Sequence, residues 1–219
     1  MSGVRIRSFV APGFEENAYL VWRPGSGSAV AVDPGGDALA MLDTLAAENL
    51  KLDAILLTHA HVDHVEGVAA LQEATGAPVW LHPEDRPLYA AAAQQAAWFG
   101  MKIRPLPEID HDLAHGQMLT VAGIEFEVRH VPGHSPGHVI FYCAEAGAAL
   151  VGDVIFSGSI GRTDLPGGNF PQLVKGIRAH VFTLPGSTVL YTGHGPATEV
   201  GHERATNPFL VPHYGGGLA

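Results

Sequence analysis

Residues 53–64 read DAILLTHAHVDH, from Asp53 to His64. The first half, Asp53–Thr58, is a short apolar run, the pattern of a strand buried on both faces. The second half crowds His59, His61, Asp63 and His64 into six residues. A loop at the C-terminal end of a buried strand is where α/β sheets usually carry their sites. Imidazole nitrogen together with carboxylate oxygen suits zinc, iron, manganese or cobalt better than magnesium or calcium. His59 and His61, two residues apart, can point the same way from extended backbone. Asp63 and His64 begin the following turn and face elsewhere. One segment can therefore serve two metals.

Three further segments share this character of a buried strand, then a polar ligand type beside glycine. Val128–Val131 leads into PGHSPGH (Pro132–His138), Ala149–Val151 into Gly152-Asp153, and Val189–Thr192 into Gly193-His194-Gly195. Glycine beside a ligand lets the backbone approach closely. Each segment alone is a weak signal. Four such strand ends in one chain are best explained by one shared metal centre.

The pattern around these segments is mixed α and β. Strands are expected at Val4–Val10, Asn17–Trp22, Ser28–Asp33 and Val79–Leu81. The pairs Gln117–Val121 with Ile124–Val131 and His138–Cys143 with Ala148–Val151 read as hairpins. Thr188–Thr192 reads as a late buried strand. Helices are expected over Ala38–Glu48 with Asp37 as N-cap, near Gly67–Thr75, from Pro83 to about Trp98, from Asn169 to about Phe182, and over Thr198–Ala205. Met101–Pro107 reads as a connection. No linker or repeat interrupts the chain, so residues 1–219 are expected to form one layered α/β domain.

Composition narrows the function. Hydrophobic residues reach 47% and charged residues only 16%, which excludes disorder. The net charge of −10 carries no basic footprint for nucleic acid and disfavours anionic membranes. No apolar run approaches the ~20 residues of a membrane span. Met1–Leu20 has charges throughout and no apolar core, so no signal peptide is expected and the cytoplasm is the expected compartment. One cysteine, Cys143, excludes an intrachain disulfide and cysteine-rich metal modules. Histidine is the outlier: its 13 copies exceed the 12 Lys and Arg together.

THAHVDH (Thr58–His64), PGHSPGH (Pro132–His138), GDVIFSGSIGRTDLPGGN (Gly152–Asn169) and GHGPATEVGHERATNPF (Gly193–Phe209) together resemble the metallo-β-lactamase superfamily over nearly the whole chain. The last two motifs are closer to its short, single-domain type II glyoxalase-like (hydroxyacylglutathione hydrolase-like) members. The resemblance implies a four-layer αββα sandwich with a dinuclear site along one edge. It implies that His59, His61 and His134 hold one metal, that Asp63, His64 and His194 hold the other, and that Asp153 bridges them. It also implies two divalent ions, zinc first and iron or manganese as alternatives, with a metal-bridging hydroxide that attacks a thioester such as S-lactoylglutathione. Asp63 is then the catalytic residue that orients the hydroxide and takes its proton. Arg162, in the loop with Thr163 and Asp164, is implied as a substrate-binding cation.

Other residues read as supporting ones. His138 is expected to hydrogen-bond behind the ligands rather than to ligate. His82 reads as a turn residue, and His111, His115, His130, His180, His202 and His213 as structural. Cys143 reads as core, and the aromatic residues of Leu88–Phe99 as core or a partner helix. Only Pro196–Ala219 follows His194, so the C-terminal helical domain that supplies glutathione-binding cations in the long type II glyoxalases is expected to be missing; Arg162, Lys175 and Arg204 are the nearby candidates. An Fe(II) persulfide dioxygenase, a lactonase-type hydrolase and a metal-binding assembly domain are the competing readings. Little β-lactamase activity is expected, because an amine leaves less readily than a thiolate.

Overall fold

The structure, a computed structural model, describes residues 3–211. Two six-stranded sheets carry the fold. The first contains β1 (Arg5–Val10), β2 (Asn17–Trp22), β3 (Ser28–Val32), β4 (Lys51–Leu56), β5 (Val79–Leu81) and β6 (His111–Asp112), in that spatial order. β1 to β3 pair antiparallel and β3 to β6 parallel. The second sheet contains β7 (Met118–Val121), β8 (Ile124–His130), β9 (Val139–Cys143) and β10 (Ala148–Gly152). A small ribbon, β11 (Ile155–Phe156) with β12 (Ser159–Ile160), follows. The second sheet is completed by β13 (Val189–Thr192), parallel to β10, and β14 (Thr198–Glu199).

Alternation along the strands stacks these layers. In β2, Tyr19 and Val21 face the second sheet while Leu20 and Trp22 face the opposite way. Val30 and Val32 against Ala29 and Ala31 in β3, and Ala54 and Leu56 against Ile55 and Leu57 at β4, do the same. From the second sheet, Phe126, Val128, Phe141, Cys143 and Leu150 meet them in the core between the sheets. A period of two puts successive side chains on opposite faces, so a strand apolar at every position must be covered twice. The outer face of the first sheet is covered by α1 (Ala38–Ala47), α2 (Val62–Val65), α3 (Val68–Thr75), α4 (Arg86–Ala90) and α5 (Ala92–Trp98), through residues such as Met41, Leu45, Leu71 and Tyr89. The outer face of the second sheet is covered by α6 (Phe170–Gly176) and α7 (Val200–Thr206), with Leu173, Ile177 and Val200 buried against Ile140, Ala149 and Val151. This is the expected αββα sandwich.

Several elements depart from expectation. The helix expected from Pro83 to Trp98 is a 3-10 turn (Pro83–Asp85) followed by α4 and α5. Pro87 has no N–H to offer the Pro83 carbonyl, which breaks the ladder. The helix expected through Phe182 widens into a π turn over Ile177–Val181, where the Phe182 N–H donates to the Ile177 carbonyl. Thr198 and Glu199 form an edge strand rather than the start of a helix. Asp37 makes no side-chain cap; its backbone (φ −107°, ψ 37°) lies outside the extended conformation that aims a capping oxygen at the helix. β6 (His111–Asp112) is a short strand beyond those expected. His213 lies outside the described residues.

Candidate metal centre

β8, β10 and β13 run the same way, so their C-terminal ends share one edge of the second sheet, and β4 brings its own end alongside. The four ligand-bearing loops therefore converge although the chain separates them. His59, His61 and His134 bring their ring nitrogens together: His61 Nδ1 lies 2.9 Å from His134 Nε2, which lies 3.3 Å from His59 Nε2. A tetrahedral zinc ion with Zn–N near 2.0–2.1 Å spaces its nitrogens by about 3.3–3.4 Å, so these three rings could hold one. Asp63, His64 and His194 form a second set, with His194 Nε2 3.2 Å from Asp63 Oδ2. Asp153 stands between the sets: its Oδ2 is 3.5 Å from His134 Nε2 and 3.7 Å from His194 Nε2, and its Oδ1 is 3.4 Å from His64 Nε2. All seven residues named from the sequence thus meet in one place.

Two observations support a metal-binding role for this geometry. His64 Nε2 and Asp153 Oδ1 are buried and have no hydrogen-bond partner, a costly arrangement unless something else coordinates them. A Cβ on Gly193 would collide with Asp153 Oδ1 and His64 Cε1, so only glycine lets the His194 turn close on the site.

The donor rings are also oriented from behind. His134 Nδ1 donates to the Arg162 carbonyl at 2.7 Å, and His64 Nδ1 donates to Asp33 Oδ2 at 3.1 Å. His59 Nδ1 meets Thr58 Oγ1 at 3.0 Å, and that hydroxyl donates to Asp33 Oδ2 at 2.6 Å. These bonds fix the tautomers and leave Nε2 free for a metal. His138, as expected, does not join the donor sets: its Nε2 accepts from the Asp153 N–H at 3.1 Å and its ring stacks on His59 at 4.5 Å.

Electrostatics follow from burial and from mutual proximity. Burial, then the neighbouring imidazoles, push His59 well below its ordinary value, and burial with His134 takes His61 down to about 3. Both are therefore neutral and ready to ligate. Burial raises the Asp63 carboxyl, but His64 and the His194 hydrogen bond outweigh it and leave it lowered. Asp153 is lowered as well, burial being outweighed by His64, His134 and His194.

Sequence reasoning missed the residues that brace this centre. Asp33 reads only as a strand end in the sequence, yet its carboxylate accepts from the Thr58 N–H and hydroxyl and from His64 Nδ1. Asp85 is fully buried and accepts from the Ala60 N–H at 3.0 Å, the Ser135 hydroxyl at 2.8 Å and the Gly137 N–H at 2.5 Å. It ties the His59–His64 loop to the His134 loop. Asp85→Ala strands three buried donors, each worth about 1–3 kcal/mol. A loss of about 3–5 kcal/mol in urea unfolding is expected; a loss below about 1 kcal/mol contradicts the bracing role.

A cavity of about 640 Å³ opens onto the centre. Arg162 lies on its wall, but its guanidinium pairs bidentately with Asp164 at 2.7 and 2.8 Å. Lys175 and Arg204 do not line it. Trp98 and Phe99 do, and they are 60% and 59% exposed. Of the aromatics read as core or partner helix, only Tyr89 is core. The spacing Ala91, Gln95, Trp98 is the available signal, since from the N-cap of α5 onward it places these side chains on one helical face.

Fold and site together define a metal-dependent hydrolase built on two facing sheets. The family signature for the metallo-beta-lactamase superfamily matches residues 11–194, and the chain belongs to that superfamily. Hydroxyacylglutathione hydrolase GloC of Haemophilus influenzae is 37% identical over 90% of this chain and 93% of its own length. The crystal structure of TTHA1623 in a di-iron-bound form superposes with a TM-score of 0.86 at 44% identity, over 93% of this chain and all of that one. BLEG-1 B3 metallo-beta-lactamase gives a TM-score of 0.89 at 38% identity, over 94% of this chain and all of that one.

Proposed function

We propose that this chain is a dinuclear thioester hydrolase of the hydroxyacylglutathione hydrolase type. His59, His61 and His134 would hold one ion, Asp63, His64 and His194 the other, and Asp153, which lies between the two sets, would serve both. The observation that carries the reading is the position of Asp153, whose two oxygens face donors of both sets. Zinc is the proposed occupant, with iron or manganese as alternatives; the di-iron form of TTHA1623 supports two ions and keeps iron in the comparison. GloC supports the thioester.

Two divalent ions held here would supply a polarised carbonyl and a water acidic enough to attack at neutral pH. Asp63, kept ionised by His64 and His194, orients the attacking water and takes its proton at the carboxylate. His194 is the most open donor, with 30% side-chain exposure, and marks the side from which substrate approaches. The departing thiol, with a pKa of about 8.5, leaves as thiolate without a strong acid beside it. The same reading takes residues 1–219 as one catalytic domain, a small-molecule thioester as its partner, and the cytoplasm as its place. The net charge of −10 supports a partner other than nucleic acid or an anionic membrane surface. No helix among the described residues is long and apolar enough to cross a membrane.

Metal analysis of purified protein with a thioester assay tests the proposal. Two metals per chain and cleavage of S-lactoylglutathione are expected. The KM should lie near or above ~1 mM, the upper end of the usual range, because Arg162 must leave Asp164 to meet the substrate's carboxylates. Arg162→Ala should raise KM further with little change in kcat, as loss of uniform binding does. One iron per chain with oxygen consumption would move the assignment to a persulfide dioxygenase. Two metals without thioester cleavage would move it to a lactonase-type hydrolase. The name of BLEG-1 makes a penicillin and a carbapenem part of the same assay, where little turnover is expected.

A further inference from the structure

The cavity over the centre is walled by apolar side chains from distant parts of the chain. Leu88, Trp98 and Phe99 come from α4, α5 and the residue after it, Phe14 from the β1–β2 loop, and Phe156 and Leu165 from the segment after Asp153. The Phe14 and Phe99 rings meet edge to face with centroids 5.1 Å apart, which joins two of these sources into one continuous surface. Contiguous exposed apolar surface at the mouth of a cavity marks a binding site rather than ordinary surface.

Two of the three polar groups of the same wall are already engaged, and the third, Gln94, is an uncharged amide at its exposed rim. Beyond the donor residues they comprise Gln94, Gln95 and Arg162 among the described residues. Gln95 donates to the Ala60 and Leu88 carbonyls and accepts from the Val62 N–H. Arg162 is held by Asp164. A glutathione handle brings two carboxylates and an ammonium group, and this wall offers them little.

We infer that the preferred substrates, on the thioesterase reading above, are thioesters carrying an apolar body, a medium-length alkyl chain or an aromatic ring, beside the reacting carbonyl. Leu88, Trp98, Phe99 and Phe14 select for it. The apolar body can sit on the acyl or on the thiol side of the sulfur, and the two arms of the test separate these sources.

The metal-loaded enzyme is assayed with N-acetylcysteamine thioesters from acetyl to octanoyl, with acetyl thioesters of ethane- to octanethiol, and with S-lactoylglutathione. In one arm kcat/KM should rise by up to about fourfold per methylene while the cavity fills. The best member should exceed S-lactoylglutathione by at least tenfold. Trp98→Ala should flatten the slope; at 60% exposure this residue is replaceable without loss of the fold. Calorimetric titration with octanoate and with acetate reads the wall independently of turnover, and octanoate should bind more tightly in a Trp98-dependent way. Thioester cleavage with flat slopes in both arms, and S-lactoylglutathione as the best substrate, would overturn the inference and leave the thioesterase standing. No thioester cleavage, with Trp98-dependent octanoate binding, would overturn the thioesterase and keep the apolar class. Loss of both signals would overturn both.

Discussion

Asp153→Ala is expected to empty both metal positions and to lower thioester hydrolysis by on the order of 10³-fold or more. Among the described residues, Asp153 is the one side chain whose oxygens lie within 3.4–3.7 Å of His64, His134 and His194 together. Without it, two dications would face each other with Asp63 as the remaining carboxylate among the proposed ligands, and their mutual repulsion would go uncompensated. His194→Ala should behave differently. It removes one donor from the second set and leaves His59, His61 and His134 intact, so one metal per chain should remain. Metal content per chain, measured beside activity, separates the two variants. Asp153→Ala with two metals retained contradicts the bridging role. His194→Ala with unchanged iron and unchanged oxygen consumption contradicts the dinuclear hydrolase.

Chelation is expected to lower the melting temperature as well as the activity. The proposed ligands sit at the ends of β4 in one sheet and of β8, β10 and β13 in the other, so the ions pin sheet to sheet. The unfolded chain cannot assemble them. Metal at 100 times its dissociation constant adds about 2.7 kcal/mol by linkage. At roughly 2–4 °C per kcal/mol for a chain of this size, each ion removed should cost about 5–10 °C. Calorimetry before and after verified metal removal checks this, and an unchanged melting temperature would rule it out. Metal uptake should also weaken as pH falls. In the metal-free centre burial lowers His64, but Asp153 and Asp63 outweigh it and raise its pKa well above the ordinary value. Only the neutral imidazole ligates, so lower pH, which favours the protonated ring, makes metal uptake harder.

The amino-acid sequence by itself indicated a layered α/β domain and a cluster of candidate donors, and the family resemblance of its motifs implied the four-layer sandwich and the division of those donors into two sets. Strands apolar at every position demand cover on both faces, which is already a layered α/β domain, and the polar residues ending β4, β8, β10 and β13 are visible because the apolar runs stop at them. Those signals are local, and short-range periodicity carries them. Tertiary structure alone decided three things. It placed Asp85 under the loops of Ala60 and Gly137, 25 and 52 residues away. It set Asp33 behind His64, at a separation of 31. It turned Trp98 and Phe99 outward to wall a cavity with Phe14, and gave Arg162 to Asp164. A buried acid in a turn, or an aromatic at a helix end, reads the same in sequence whether it faces core, solvent or ligand. Only the packing of distant segments, through burial and hydrogen-bond satisfaction, selects among them.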